Sequence, residues 1–330
     1  MKRSPQWGGR GFVNPELTTM MRPGSMTETL RRQFLGGERR APLLAVPVVF
    51  RAAGDFASPP TSGLRVTWLG HASVFVELGG ARVLFDPVFS ERCSPSTLVG
   101  PHRFHPVPIS AEEIPLPDAV VISHDHYDHL DMESIRTLAR RGARFVVPLG
   151  IGSHLDRWGV APDRIVELDW DETATLGPLV LTALPARHYS GRLPWKQNDT
   201  LWASWDASAG GKRVYFSGDT GASGLFSRIG KQYGPFDLCL LKIGAYGEAW
   251  PDIHMTPEEA VAAFGQLGGG LLVPIHWATF NLAFHAWGEP AERFVGAMGK
   301  SASPGSRFYV PKPGEMVDVT APPAQVTWWR

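Results

Sequence analysis

Between Ala119 and Asp131 the chain reads AVVISHDHYDHLD, an apolar run that stops abruptly in coordinating side chains. A short β-branched run of this kind is a buried strand. When its carboxyl end opens into ligand-type residues, it marks the cleft of a layered α/β protein. With the backbone extended, His124 and His126 point to the same side, and Asp128 and His129 turn in as the chain bends toward a helix. A lone histidine at a strand end is ordinarily a packed polar residue. Three of them between His124 and His129 would repel one another if charged and leave ring nitrogens to satisfy if neutral, so a metal is their simplest partner.

The rest of the chain can be laid out around that loop. From Gly63 the pattern predicts a β-meander, Leu64 to Leu69, Ala72 to Leu78 and Ala81 to Phe85, with Gly79-Gly80 as the tight turn. It ends at Asp86-Pro87, where proline stops further ladder bonding. Residues 88–117 are proline-rich and read as a long irregular connection of the kind that is often functional. Helices are expected at Met132 to Arg141, Ser153 to Trp158, and from Thr256-Pro257 to Leu267. The last has a capping box with Glu259 and a glycine stop. Strands are expected at Phe145 to Pro148, Arg164 to Leu168, Leu179 to Leu184, Leu201 to Asp206, Val214 to Phe216, Leu238 to Ile243 and Leu271 to Ile275. Two short ones follow at Phe308 to Val310 and Met316 to Val319.

Composition narrows the function classes. Lys+Arg and Asp+Glu both number 32, so no global field draws the protein to nucleic acid. Residues 1–40 are locally basic, with eight Lys/Arg against three Glu, and residues 1–62 are read as a basic N-terminal extension that wraps a core domain of residues 63–330. No apolar stretch approaches the roughly 20 residues that span a bilayer. Only Cys93 and Cys239 are present, too few for a disulfide framework, which fits a reducing, cytoplasmic setting.

Three further strand ends carry donors: His188 after the Leu179 run, Asp219 in SGDTG after the Val214 run, and His276 after the Leu271 run. With His124, His126, Asp128 and His129 they make five imidazoles and two carboxylates, enough for two metals with open positions. The donor set favours zinc and accepts iron or manganese.

HDHYDH is the H-x-H-x-D-H signature of the metallo-β-lactamase fold, and His188, Asp219 and His276 follow in that superfamily's order. The segments VTWLGHAS, DPVFSERCSPSTLVGPHRF, HDHYDHLD, SGDTG, YGPFDL, IGAY, PEEAV and PIHW, spread over residues 64–290, resemble the N-acylphosphatidylethanolamine-hydrolysing phospholipase D family. The resemblance implies an α/β protein built as an αββα four-layer sandwich. It also implies two zinc ions, one on His124, His126 and His188, the other on Asp128, His129 and His276, bridged by Asp219. The implied reaction is phosphodiester hydrolysis by a bridging hydroxide. An aspartate at 219 separates the chain from lactamases with cysteine there. His126 separates it from flavodiiron members with glutamate there, which argues against redox work.

Around that centre, Asp86 is expected to orient a ligand imidazole or water, and His254 to contact substrate, donating a hydrogen bond to a phosphoryl oxygen or a proton toward the leaving alkoxide. Lys242, in an apolar strand, is read as a phosphate contact or a snorkelling side chain. His71 is read as packing, not ligation. Trp195, Trp202, Trp205, Trp250, Trp277 and Trp287 offer aromatic surface for an acyl groove or for the core. The expected substrate is a phospholipid or other small molecule, with peripheral membrane contact and a homodimer left open. A lactonase or carboxyl esterase, and a silent metal-binding scaffold, are the competing classes. The segment before residue 41 is expected to stand apart from the catalytic machinery.

Overall fold

A glycine pair sets the first sheet in register. Gly79 and Gly80 both take positive φ, 53° and 86°, and turn β2 (Ser73–Leu78) into β3 (Ala81–Phe85), so that Leu78 faces Ala81 and Val74 faces Phe85. The computed structural model describes residues 4–193, 195–301 and 306–330. Ahead of the sheet lies α1 (Met26–Leu35), and β1 (Leu64–Gly70) pairs antiparallel with β2. The chain then turns parallel: β4 (Ala119–Val121), α2 (Met132–Arg140), β5 (Phe145–Pro148), α3 (Gly152–Arg157) and β6 (Ile165–Leu168).

A second sheet follows from β7 (Thr173–Leu176), β8 (Leu179–Leu184), β9 (Ser204–Ala209) and β10 (Lys212–Phe216). It continues through α4 (Leu225–Tyr233), β11 (Leu238–Lys242), α5 (Pro257–Leu267), β12 (Leu271–Ile275), α6 (Glu289–Ser301) and β13 (Arg307–Phe308). The last strand, β14 (Met316–Asp318), returns to pair with β1. The orders are β14-β1-β2-β3-β4-β5-β6 and β13-β12-β11-β10-β9-β8-β7.

The period of two along a strand explains the layers. Val74, Val76, Val83, Phe85 and Val121 face the second sheet, whereas their neighbours Phe75, Leu84 and Val120 join Ile135, Leu138 and Leu155 of α2 and α3 in a separate outer core. Phe85 and Phe216 stack across the two sheets with centroids 4.6 Å apart. On the far side, Phe226 and Ile229 of α4, Phe264 of α5 and Phe294 of α6 cover the second sheet. This is the αββα sandwich. Full burial of each such side chain stabilises the fold by about 1.5–3 kcal/mol.

The strand expected at Phe308 to Val310 is instead Arg307–Phe308, and other expectations shift with more bearing on the site. The strand expected at Leu201 to Asp206 begins at Ser204, because Leu201 N–H donates to Leu149 O (2.8 Å) and Ala203 N–H to Ser123 O (2.9 Å). Those residues stitch the second sheet's connection across the end of the first. The N-terminal segment also does more than lie along the core. Phe56 is fully buried in the outer core, Phe12 packs into the inter-sheet core, and Asn14 contacts His188. Cys93 and Cys239 are free and buried, and burial pushes both thiols up. Among the described residues no helix is long and apolar enough to cross a membrane.

Candidate metal centre

All the donors singled out above sit where strands end. The loop after β4 carries His124 to His129, the connection after β8 carries His188, the turn after β10 carries Asp219, and His276 follows β12 directly. Gly218 makes the convergence sterically feasible. Its φ is 52°, and a Cβ there would lie 2.5 Å from Ser123 Cβ, so only glycine lets the SGDTG turn approach the histidine loop. Within HDHYDH the alternate residues face away: Asp125 accepts from Gly191 N–H (2.7 Å), and the Tyr127 ring lies 3.9 Å under the Arg192 guanidinium. Asp131 caps α2 by accepting from Ser134 N–H.

The seven donors form two groups around one carboxylate. In the first, His126 Nδ1 is 2.9 Å from His124 Nε2 and 3.3 Å from His188 Nε2. In the second, His276 Nε2 is 3.1 Å from His129 Nε2 and 3.3 Å from Asp128 Oδ2. Asp219 lies between them. Its Oδ2 is 3.3 Å from His129 Nε2, 3.8 Å from His188 Nε2 and 4.0 Å from His124 Nε2, and its Oδ1 is 3.1 Å from His276 Nε2. Ring nitrogens so close cannot all hydrogen-bond to one another. Tetrahedral ligands at metal–nitrogen distances of 2.0–2.1 Å are separated by about 3.3 Å, so these spacings are those of a coordination shell. Buried Asp219 Oδ1, which faces the cluster, has no hydrogen-bond partner. The residues present therefore fit two divalent cations.

One carboxylate sets the tautomers on both sides. Asp86 Oδ1 accepts from Ser123 N–H (2.7 Å). Its Oδ2 accepts from Ser123 Oγ–H (2.6 Å) and from His129 Nδ1–H (2.6 Å). Because the serine hydroxyl donates to Asp86, its oxygen accepts from His124 Nδ1–H (2.9 Å). His124 and His129 thus turn their Nε2 lone pairs toward the cluster. His188 does the same, with Nδ1 donating to Ile253 O (3.0 Å). Indoles hold the supporting main chain: Trp205 donates to Ile122 O, Trp202 to Ala186 O and Trp68 to His71 O. Of the tryptophans considered for an acyl groove, Trp202, Trp205 and Trp277 are therefore core. Trp195 is 81% exposed, and Trp250 and Trp287 line cavities.

The charges are arranged for cations. Burial, reinforced by neighbouring imidazoles, holds His124 well below its usual range. Burial lowers His188 to about 3 even against the pull of Asp219, so these rings are neutral donors. Burial opposes ionisation of Asp219, but His276, His129 and His254 more than offset it, and its carboxyl stays well below the usual range. Asp128 behaves likewise through His129 and His276. At His129 burial is outweighed by the carboxylates of Asp219, Asp128 and Asp86, which draw positive charge to that position. His71, Asp86 and His276 adopt positive φ of 51°, 39° and 64°, a local strain of roughly 1–3 kcal/mol each of the kind held at functional sites.

His71 departs from its expected packing role. An irregularity between Trp68 and Gly70 and the left-handed backbone swing its ring into the cluster, where Nε2 lies 2.9 Å from Asp128 Oδ2. Its carbonyl also accepts from His276 N–H (2.8 Å), joining the ends of the two sheets. No local sequence pattern marks this placement, because it depends on the irregularity between the paired strands. His254 reaches the cluster from the other side, with Nδ1 3.7 Å from Asp219 Oδ2 and no hydrogen-bond partner. It lines a cavity of ≈ 640 Å³ together with Trp250, Tyr246, Phe284, Arg22 and Arg32. Lys242 does not snorkel. It is fully buried, donates to Gly244 O (2.6 Å), and burial lowers it to about 7.

Comparison with known proteins places these features. A family model described as the Beta-lactamase superfamily domain matches residues 81–277. An uncharacterized protein of Mycobacterium tuberculosis is 52% identical over all of this chain and 88% of its own. The N-acyl-phosphatidylethanolamine-hydrolyzing phospholipase D 1 of Caenorhabditis elegans is 34% identical over 85% of this chain and 80% of its own. Among solved structures, the metallo hydrolase Igni18 of the archaeon Ignicoccus hospitalis superposes with a TM-score of 0.58 at 26% identity, covering 77% of this chain and 97% of its own.

Proposed function

The chain belongs to the metallo-β-lactamase superfamily and is a metal-dependent hydrolase, and from that premise we propose that it is a dinuclear phosphodiesterase acting on an N-acylphosphatidylethanolamine-like phospholipid. On this reading His124, His126 and His188 hold one cation, Asp128, His129 and His276 hold the other, and Asp219 is shared. Zinc is the preferred metal, and iron or manganese suits the same donors. The single observation that carries the reading is the position of Asp219, whose two oxygens lie 3.1–4.0 Å from ring nitrogens of both groups. The 34% identity to the nematode phospholipase supports the substrate class.

Two cations held there would supply Lewis acidity to a phosphoryl oxygen and make water a competent nucleophile near neutral pH. Asp86 keeps the rings of His124 and His129 in the ligating tautomer. His254, between Asp219 and the cavity, is held well below the usual imidazole range by burial and by Lys242, and as a neutral ring it donates a hydrogen bond to a phosphoryl oxygen. His71 donates from Nε2 to Asp128 and fixes that carboxylate's orientation.

A lipid substrate also accounts for the surface of the N-terminal extension, residues 1–62. The helix α1 buries none of its residues, and Met26, Leu30 and Phe34 recur at helical spacing on one side of it, with Arg31 and Arg32 nearby. Leu30 is 52% and Phe34 79% exposed. On this reading the basic, apolar segment rests on a membrane surface and the adjoining cavity receives the headgroup. The test is hydrolysis by zinc-loaded protein of N-acylphosphatidylethanolamine, of a simple soluble phosphodiester and of a lactone. Cleavage of the first two with little lactone turnover is expected, and the reverse order would make the protein a carboxyl-ester or lactone hydrolase.

A further inference from the structure

We infer that Asn14 is a positioning residue of the metal centre, through which the N-terminal segment fixes the main chain of His188. The inference rests on His188 being a ligand, as proposed above. His188 lies in the irregular connection between β8 and β9, where no strand partner exists to pair its peptide groups. It is fully buried, so both its N–H and its C=O need partners within the protein. Asn14 supplies both: Oδ1 accepts from His188 N–H (2.9 Å), and Nδ2 donates to His188 O (2.7 Å). One side-chain amide thus does for this histidine what a neighbouring strand would do.

The ring is fixed from a different direction, by Ile253 O at Nδ1 (3.0 Å), so main chain and imidazole are tied independently. Asn14 is itself firmly placed. Phe12 N–H donates to Asn198 O (2.8 Å), the Phe12 ring is buried in the inter-sheet core, and a Cβ on Gly11 would lie 2.9 Å from Asn198 O. Beyond Asn14, Arg187 donates to Leu17 O and Thr18 Oγ1, and Thr19 N–H donates to Asp252 Oδ2 (2.8 Å). The segment from Gly11 to Thr19 therefore clamps His188 itself, Arg187 just before it, and Asp252 just before the ring's own acceptor, Ile253. Its attachment is specific to the site and distinct from general coverage of the core.

Asn14→Leu keeps the branched shape and the number of heavy atoms and removes both hydrogen bonds. Full-length, zinc-loaded protein would be titrated with a chelator of known affinity, and exchange of the His188 amide and the melting temperature followed alongside. The expected result is about 10- to 100-fold weaker binding of one zinc of the two, as for other groups that orient ligands, with loss of protection at the His188 amide. Asn14→Asp keeps the size and the acceptor for His188 N–H but loses the donor, and is expected to fall between Asn14→Leu and the parent even where the leucine variant is less stable. Parent-level zinc affinity and His188 protection in both variants would overturn the inference. His188→Ala separates the two layers: loss of one zinc there with unaffected Asn14 variants discards only the positioning role, whereas retention of both zincs in His188→Ala discards the ligand reading and the inference with it.

Discussion

Replacing Asp86 by asparagine exchanges one oxygen for an NH2 group in a place where every neighbour is a donor. Ser123 N–H, Ser123 Oγ–H and His129 Nδ1–H all point at the carboxylate, and the residue is fully buried. An amide oxygen can satisfy only one side. If it faces Ser123 N–H, the NH2 meets His129 Nδ1–H, and the clash is relieved only by moving the imidazole proton to Nε2, the nitrogen that faces Asp219 and His276. If it faces His129, it still accepts from His129 and from the Ser123 hydroxyl, but the NH2 group is set against Ser123 N–H, which loses its acceptor; with the oxygen toward Ser123 N–H it is the serine hydroxyl orienting His124 that loses its acceptor. Either arrangement forfeits one or two charge-assisted hydrogen bonds worth about 1.5–3 kcal/mol each. Through a ligand imidazole this corresponds to roughly 10- to 100-fold in affinity for at least one metal. Chelator competition on zinc-loaded protein measures the change directly, with the melting temperature of metal-free protein as the control for folding. Unchanged affinity for two zincs in Asp86→Asn would refute the idea that this carboxylate governs the ligand tautomers.

Other outcomes follow from the same geometry. Asp219→Asn is expected to keep the fold and lower turnover by several orders of magnitude, since a neutral amide is a poor shared ligand; near-normal turnover would remove the dinuclear mechanism. His254→Ala should retain two metals and the parent melting temperature while losing about 10² to 10³ in rate, and a parallel loss of stability would assign His254 a structural role. Leu30→Glu with Phe34→Glu should weaken binding to anionic vesicles while sparing hydrolysis of a soluble phosphodiester; unchanged vesicle binding would exclude α1 from the membrane contact. Asp206, in β9, is raised by burial to about 6 despite Arg213 nearby. The folded state therefore holds its proton more tightly than the unfolded chain, and stability falls as pH rises from about 4 to about 6 and is level above that. Asp206→Asn should remove a penalty of roughly 2–3 kcal/mol that develops across this window, and a pH-independent difference in urea unfolding would contradict the assignment.

How much of this was legible in the sequence follows from the range of the interactions. The donors at 124, 126, 128, 129, 188, 219 and 276 could be read because each stands at the end of an apolar run, a local pattern that fixes which end of the sheet it occupies. The start of α5 was equally legible, since Thr256 and Glu259 satisfy one another within a single turn. The helices α4 and α6 escaped notice because Gly230 in one and Pro290, Gly296 and Gly299 in the other weaken the local signal, and burial against the second sheet supplies the stability instead. β7 was missed as a half-exposed edge strand with little apolar contrast. His71 could not be placed because its approach to Asp128 depends on an irregularity between paired strands. Asn14 meets His188 across 174 residues of sequence, with no motif to link them.

The most direct measurement is hydrolysis of N-acylphosphatidylethanolamine by the two-zinc protein in heavy-oxygen water. The expected result is release of phosphatidate carrying the heavy oxygen on phosphorus, abolished by chelation and restored by zinc. Absence of phosphodiester cleavage under conditions where the same sample opens a lactone would contradict the proposed function.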